Sequence, residues 1–164
     1  MKATLTAIIA TLCLATAANA QDMSDAERVA REYMEAYSNI DWDGMLALSD
    51  ENIVFTDETG MGEGVPAEGY RDEGIAERRA SLQAFSEGSH PITLGFQWDT
   101  VFESNGQVVF MGEVNALFPT QAEGQLFSWR SPQVSVITVR DGKVVEHRDF
   151  ANYVSPEQSM VAAQ

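Results

Sequence analysis

Val134-Ser135-Val136-Ile137-Thr138-Val139-Arg140, Asp141-Gly142, Lys143-Val144-Val145-Glu146-His147-Arg148-Asp149-Phe150-Ala151-Asn152-Tyr153 is the stretch that decides the fold. Two runs rich in β-branched residues flank an Asp-Gly pair. A tight primed turn needs positive φ at its central residues, so this pattern predicts a β-hairpin. In the second arm, strict alternation puts Val145, His147, Asp149, Ala151 and Tyr153 on one face and Val144, Glu146, Arg148, Phe150 and Asn152 on the other. Each face mixes charge with apolar bulk, which a half-buried strand does not do. His and Asp two residues apart beside Val and Tyr read as the wall of a cavity.

Upstream of the hairpin the chain alternates for a long way. Leu126 to Arg140 is a long strand, with Pro132 marking a bulge or an edge. Pro91 to Glu103 and Gln107 to Phe118 are a strand pair joined by Asn105-Gly106. Before these come helices. Ser24-Asp25-Ala26-Glu27 is a capping box opening a helix to about Asn39, whose stripe is Val29, Tyr33, Tyr37 and Ile40. Asp41 caps a short second helix with Trp42, Met45 and Leu48 inside, weakened by Gly44. Ile53 to Thr56 is a short strand ending at Asp57-Glu58. Thr59 to Gly69 is a glycine-rich acidic stretch, read as a mobile loop unsuited to cradling phosphate. Asp72 then caps a third helix to about Phe85, with Ile75, Leu82 and Phe85 inside. Helices followed by long hairpin-connected strands predict an α+β domain: a strongly curved antiparallel sheet, forming a cone, packed with three N-terminal helices.

Residues 1–20 read as a cleaved signal peptide. Lys2 starts it, Ala7 to Ala17 is apolar or small, and Ala18-Asn19-Ala20 offers a cut before Gln21. The expected locale is the periplasm or the exterior. The run is shorter than the roughly 20 residues a membrane helix needs, so a soluble product with no membrane role is expected. Cys13, the single cysteine of the chain, leaves with the leader, so no disulfide, thiolate nucleophile or cysteine metal site is expected. Residues 21–164 then form one domain carrying 9 basic and 25 acidic residues, a net charge of −16. That surface repels phosphate backbones and anionic lipids, which disfavours nucleic acid as a partner.

The order of elements resembles the nuclear transport factor 2-like superfamily, and within it the SnoaL-like polyketide cyclase group. The carriers are Ala30-Arg31-Glu32-Tyr33 through Asn39-Ile40-Asp41-Trp42-Asp43-Gly44, Asp50-Glu51-Asn52-Ile53-Val54-Phe55, Gly69-Tyr70-Arg71, and Asp141 to Glu146 with Arg148-Asp149-Phe150. The superfamily hosts isomerases, dehydratases, epoxide hydrolases, cyclases and proteins without chemistry, so function rests on the site.

Three templates from the resemblance fall on particular residues. Ketosteroid isomerases use an Asp base with a Tyr and a protonated Asp on the oxyanion; Tyr33 and Asp57 match two members, but Ser131 to Val136 supplies no third acid. One such donor is worth about 3 to 4 kcal/mol. Limonene epoxide hydrolases carry an acid where Asp149 stands, but Phe110 to Asn115 lacks their Arg-x-Asp pair and offers only Glu113. SnoaL-like cyclases use an Asp assisted by a His, the residue types of Asp149 and His147. The catalytic candidates are therefore Asp149, Asp57, Tyr33 and His147, with Trp42, Tyr37, Trp98 and Glu113 as pocket lining. Structural readings stand beside these: Tyr33 as a core phenol, Asp57 as a turn cap, His147 and Asp149 as a mutually satisfied pair, and both Trp as core. Two His give no convincing metal site, and no cofactor is expected. The reading is a cone pocket taking a small, mostly apolar molecule, with acid-base chemistry of the isomerase, cyclase or hydrolase kind. The alternative is a non-catalytic ligand-binding or dimerisation module of the same fold. A homodimer through the outer face of the sheet is expected.

Overall fold

A computed structural model describes residues 23–61 and 65–163; the expected leader lies outside them. Among these residues, helices α1 (Asp25–Ser38), α2 (Trp42–Ala47) and α3 (Ile75–Ser89) accompany strands β1 (Ser49–Asp57), β2 (Tyr70–Glu73), β3 (Gln97–Ser104), β4 (Gln107–Pro119), β5 (Gln125–Arg140), β6 (Lys143–Ala151) and β7 (Glu157–Ala162). The strands make one curved, unclosed sheet in the order β2-β1-β6-β5-β4-β3, with β7 also paired to β5. The α+β expectation holds. Pairing is antiparallel except between β1 and β6, which run parallel.

Both predicted hairpin turns have positive φ at their two central residues: 53° and 74° at Asn105-Gly106, 49° and 75° at Asp141-Gly142. In β6 the simple alternation fails at one place. Thr138 pairs with Glu146 but Val139 with Val144, so one residue of β6 is extra and Val144 turns inward together with His147. Strand β5 changes neighbours along its length: Gln125 to Arg130 pair with β7, and Gln133 to Arg140 pair with β6. Pro132 stands at the handover, where a residue without an N–H is tolerated, and its carbonyl accepts from the Asn152 N–H at 3.1 Å.

The helices cover one face. Ser24 caps α1 by accepting the Glu27 N–H at 3.1 Å, but the reciprocal half of the capping box is absent because Glu27 pairs with Arg31 at 2.7 Å. Asp41 caps α2 through the Gly44 N–H at 2.9 Å, and a Cβ at Gly44 would collide with that carboxylate. Tyr33, Met34 and Met45 interlock with Ile53, Phe110 and Ile137, each at most 2% exposed.

Several sequence expectations are corrected. Asp72 does not cap α3; it lies in β2, the N-cap is Gly74, and the helix runs to Ser89. The expected strand from Pro91 starts only at Gln97, because Thr93, Leu94 and Phe96 hydrogen-bond to Ser38 at the end of α1. Strand β1 begins at Ser49, and β2 and β7 are additional.

Candidate functional site

Strand register carries the site chemistry across the sheet in rows. One inward row runs Asp72, Phe55, His147, Ile137, Val108. The next runs Asp57, Asp149, Ser135, Phe110. Parallel pairing of β1 with β6 thus places two carboxylates on adjacent strands, whose spacing is about 4.8 Å.

A buried chain of hydrogen bonds crosses these rows. Gln133 Nε2 donates to Ser135 Oγ at 3.0 Å, and Ser135 Oγ donates to Asp149 Oδ1 at 2.5 Å. His147 Nε2 lies 2.9 Å from the same Oδ1, and Tyr33 Oη lies 3.1 Å from His147 Nδ1. Tyr33, His147 and Ser135 are 0% exposed. An ionised Asp149 accepts from Nε2–H; Nδ1 accepts the Tyr33 proton when the ring is neutral and donates to Tyr33 Oη when it is charged. Burial opposes the Asp149 charge, but the His147 imidazole, the hydrogen bonds from His147 and Ser135, and the Arg78 guanidinium outweigh it and hold this carboxyl below its ordinary range. Burial pushes the Tyr33 phenol up, with the Arg78 charge opposing.

Asp57 is saturated differently. Its Oδ1 accepts from the Thr59 N–H at 3.2 Å and Oγ1–H at 2.9 Å, and its Oδ2 accepts from Tyr153 Oη at 2.6 Å. Thr59 Oγ1 in turn accepts the Ala151 N–H at 2.9 Å. Asp57 therefore fastens the ends of β1 and β6 together and caps the turn into the following loop. Burial, with the neighbouring Asp57 carboxylate, pushes the Tyr153 phenol up.

The remaining sequence candidates separate. Tyr37 is half-buried and sits against His147, Trp42 and Phe96 at ring distances of 5.2, 5.8 and 5.3 Å. Trp42 donates from Nε1 to Ser86 Oγ at 2.8 Å. Trp98 stacks on Phe96 at 5.1 Å and lines, with Arg31, Met34 and Phe110, a groove of about 370 Å³ between α1 and the sheet. That groove does not include Asp57, Tyr33, His147 or Asp149. Glu113 pairs with Arg130 at 3.4 Å and shares the outer face with exposed Met111, away from the acid rows. Among the described residues no group of three or more His, Cys, Asp or Glu could hold a metal ion, and no helix is long and apolar enough to cross a membrane.

Sequence reading missed Arg78. It is 4% exposed, stacks its guanidinium 3.4 Å over the Phe55 ring, and pairs through Nη1 with Asp72 at 3.0 Å; Ser81 donates to the other Asp72 oxygen at 2.6 Å. Its signal was present: Ile75, Arg78, Leu82 and Phe85 fall at i, i+3, i+7 and i+10, which puts a cation on the apolar stripe. Ser135 and Gln133 were also missed, although they share the inward phase of β5 with Ile137.

The fold has many solved relatives. A provisionally named SnoaL-like polyketide cyclase from Shewanella denitrificans OS-217 superposes with a TM-score of 0.64 at 20% identity, covering 78% of this chain and 90% of that one. A provisionally named isomerase from Bacillus subtilis gives 0.60 at 26%, covering 78% and 86%. An NTF2-like protein from Anabaena variabilis ATCC 29413 gives 0.60 at 19%, covering 78% and 90%. No curated protein matches the sequence. The SnoaL-like domain family matches residues 30–147, which hold α1 from Ala30 onward, α2, α3, β1 to β5 and the first half of β6 with His147, and the chain belongs to that family.

Proposed function

We propose that this chain is an exported protein that binds a small, mostly apolar molecule bearing a carbonyl or hydroxyl group and moves a proton on it, with Asp149 as the base. One observation carries this reading. Oδ1 of Asp149 takes the bonds from both His147 and Ser135, while Oδ2 has no partner among the described residues and the side chain keeps 7% exposure. One oxygen is anchored and the other is free to accept a proton. His147 and Tyr33 lie behind it and position it. Asp57, with both oxygens engaged, serves better as a fastener than as a base. A carboxyl held low is ionised throughout the neutral range, which suits a C–H or O–H already acidified by a neighbouring carbonyl. The provisional isomerase and cyclase among the solved relatives fit proton-transfer chemistry. Ligand capture with mass spectrometry identifies the molecule; Asp149→Asn is then expected to lower its turnover by roughly 100-fold or more. Full turnover by that variant sinks the assignment.

A second copy of the chain is the partner we propose for the outer face. Phe102, Val109 and Val136 follow one outward register row, and Met111, Val134 and Phe150 the next. Phe102 is 49% and Met111 44% exposed, so the rows form a continuous apolar surface. Sedimentation should find a dimer that Met111→Glu dissociates; a monomeric wild type refutes it.

A further inference from the structure

We propose that the Arg78 guanidinium and the Tyr37 hydroxyl form an oxyanion subsite for the carbonyl oxygen of an enolisable substrate. This rests on the reading of Asp149 as base and adds the group that would receive the charge.

Arg78 carries the anomaly. Its Nη1 is paired with Asp72, but Nε and Nη2 are buried with no hydrogen-bond partner among the described residues. Leaving a buried charged donor unmatched costs more than leaving a neutral one, so such groups are kept where an acceptor arrives. The stack on Phe55 and the Asp72 bond fix the guanidinium plane, and Phe55 itself lies 5.1 Å from the His147 ring. Tyr37 is the second donor. Its ring is 5.7 Å from Arg78 and 5.2 Å from His147, its hydroxyl lies beside the Arg78 guanidinium, and the residue is half-buried. Burial raises the Tyr37 phenol, so it stays protonated and donates.

Charge selects the ligand. A preformed carboxylate would meet Asp149 and Asp57, two carboxylates in one row. A neutral ketone or ester meets no such repulsion. When Asp149 Oδ2 takes the α-proton, the C–H electron pair becomes a C=C bond and the carbonyl π pair moves to oxygen. Asp149 is neutralised as the enolate forms, so the negative charge is displaced toward Arg78 at constant net charge. Returning the proton to another carbon isomerises the substrate; attack of the enolate on a second carbonyl closes a ring. Arg78 would thus supply, from α3, the charge-stabilising group that β5 lacks between Ser131 and Val136.

The probe is 4-nitrophenol, whose colour reports ionisation, titrated with the full folded protein at a pH below that at which it ionises in water. Bound to Asp149→Asn, where that carboxylate no longer repels an anion, it should be the yellow phenolate, and the wild type should bind the anion more weakly. Arg78→Lys keeps a cation for Asp72 but loses the fork, and Tyr37→Phe loses the hydroxyl. Each should weaken phenolate binding roughly 10- to 100-fold, Tyr37→Phe with an unchanged melting profile. Asp149→Asn should bind the phenolate more tightly, because a like charge has gone. No binding, binding of the colourless phenol, or equal affinity in Tyr37→Phe and a folded Arg78→Lys overturns the subsite. Those results leave Asp149 untouched, whereas full turnover in Asp149→Asn removes the base whatever the probe does.

Discussion

Replacing Ser135 by Ala isolates the anchoring of Asp149. The hydroxyl gives Asp149 Oδ1 a 2.5 Å bond and accepts one from Gln133 Nε2 at 3.0 Å, in a position 0% exposed. A hydrogen bond to a charged group contributes about 1.5 to 3 kcal/mol, and the orphaned Gln133 donor costs about 1 to 3 more. Allowing for relaxation, we expect a loss of about 2 to 4 kcal/mol at neutral pH, or about 6 to 12 °C in Tm. The loss should depend on pH in a defined sense. The Asp149 carboxyl is depressed in the fold, so its stabilisation is present above the unfolded value of about 3.9 and is lost as pH falls through the lower folded value. Removing a hydrogen bond that depresses it narrows that gap. Urea unfolding at pH 7 and near pH 3 should show the variant's deficit shrinking by about half on acidification, leaving the Gln133 part. A deficit equal at both pH values, or below about 0.5 kcal/mol at pH 7, refutes the linkage between Ser135 and the Asp149 charge.

Asp72→Asn should cost about 3 to 5 kcal/mol in urea unfolding, because it strands a buried guanidinium. Asp43→Asn, which breaks the exposed pair with Arg79, should cost under about 1 kcal/mol; similar losses would show that burial is not what matters. Tyr153→Phe removes the 2.6 Å bond to Asp57 and should cost about 1.5 to 3 kcal/mol at pH 7. The Tyr153 phenol is raised in the fold, so the wild type should lose stability as pH rises past the unfolded value of about 10, and the variant should follow a flatter alkaline limb. N-terminal sequencing of exported protein should begin at Gln21; retention of residue 1 in that fraction would remove the leader.

The fold was legible because its signals are local. Asp141-Gly142 and Asn105-Gly106 each demand one turn geometry, and Ser24 and Asp41 cap as their sequences require. What escaped was non-local. Strand β2 is four residues long and exists because Asp72 reaches Arg78 and Ser81. The extra residue of β6 is invisible to alternation, yet it decides that Val144 shares a face with His147. Within the site, His147 and Asp149 are neighbours on one strand and could be paired by eye. Tyr33 joins them from 114 residues away, and Ser135 only through the β5 register. Arg78 was overlooked because a cation is ordinarily assigned to solvent, although its helical phase pointed inward.

The change of neighbours along β5 at Pro132 separates what can drift from what cannot. With no N–H at that residue, hydrogen bonding cannot run unbroken from the β7 segment into the β6 segment. Asn152 and Tyr153 stay tied to Pro132 and Asp57, and only the chain from Val154 to Pro156 bridges the two segments without bonding to either. The length and side chains of residues 154–156 can vary in evolution or engineering with no loss of the bonds that Asn152 makes to Pro132 and Tyr153 to Asp57. That short stretch can thus be exchanged, for instance by grafting the 154–156 segment from a relative, while the acid row behind it stays in frame.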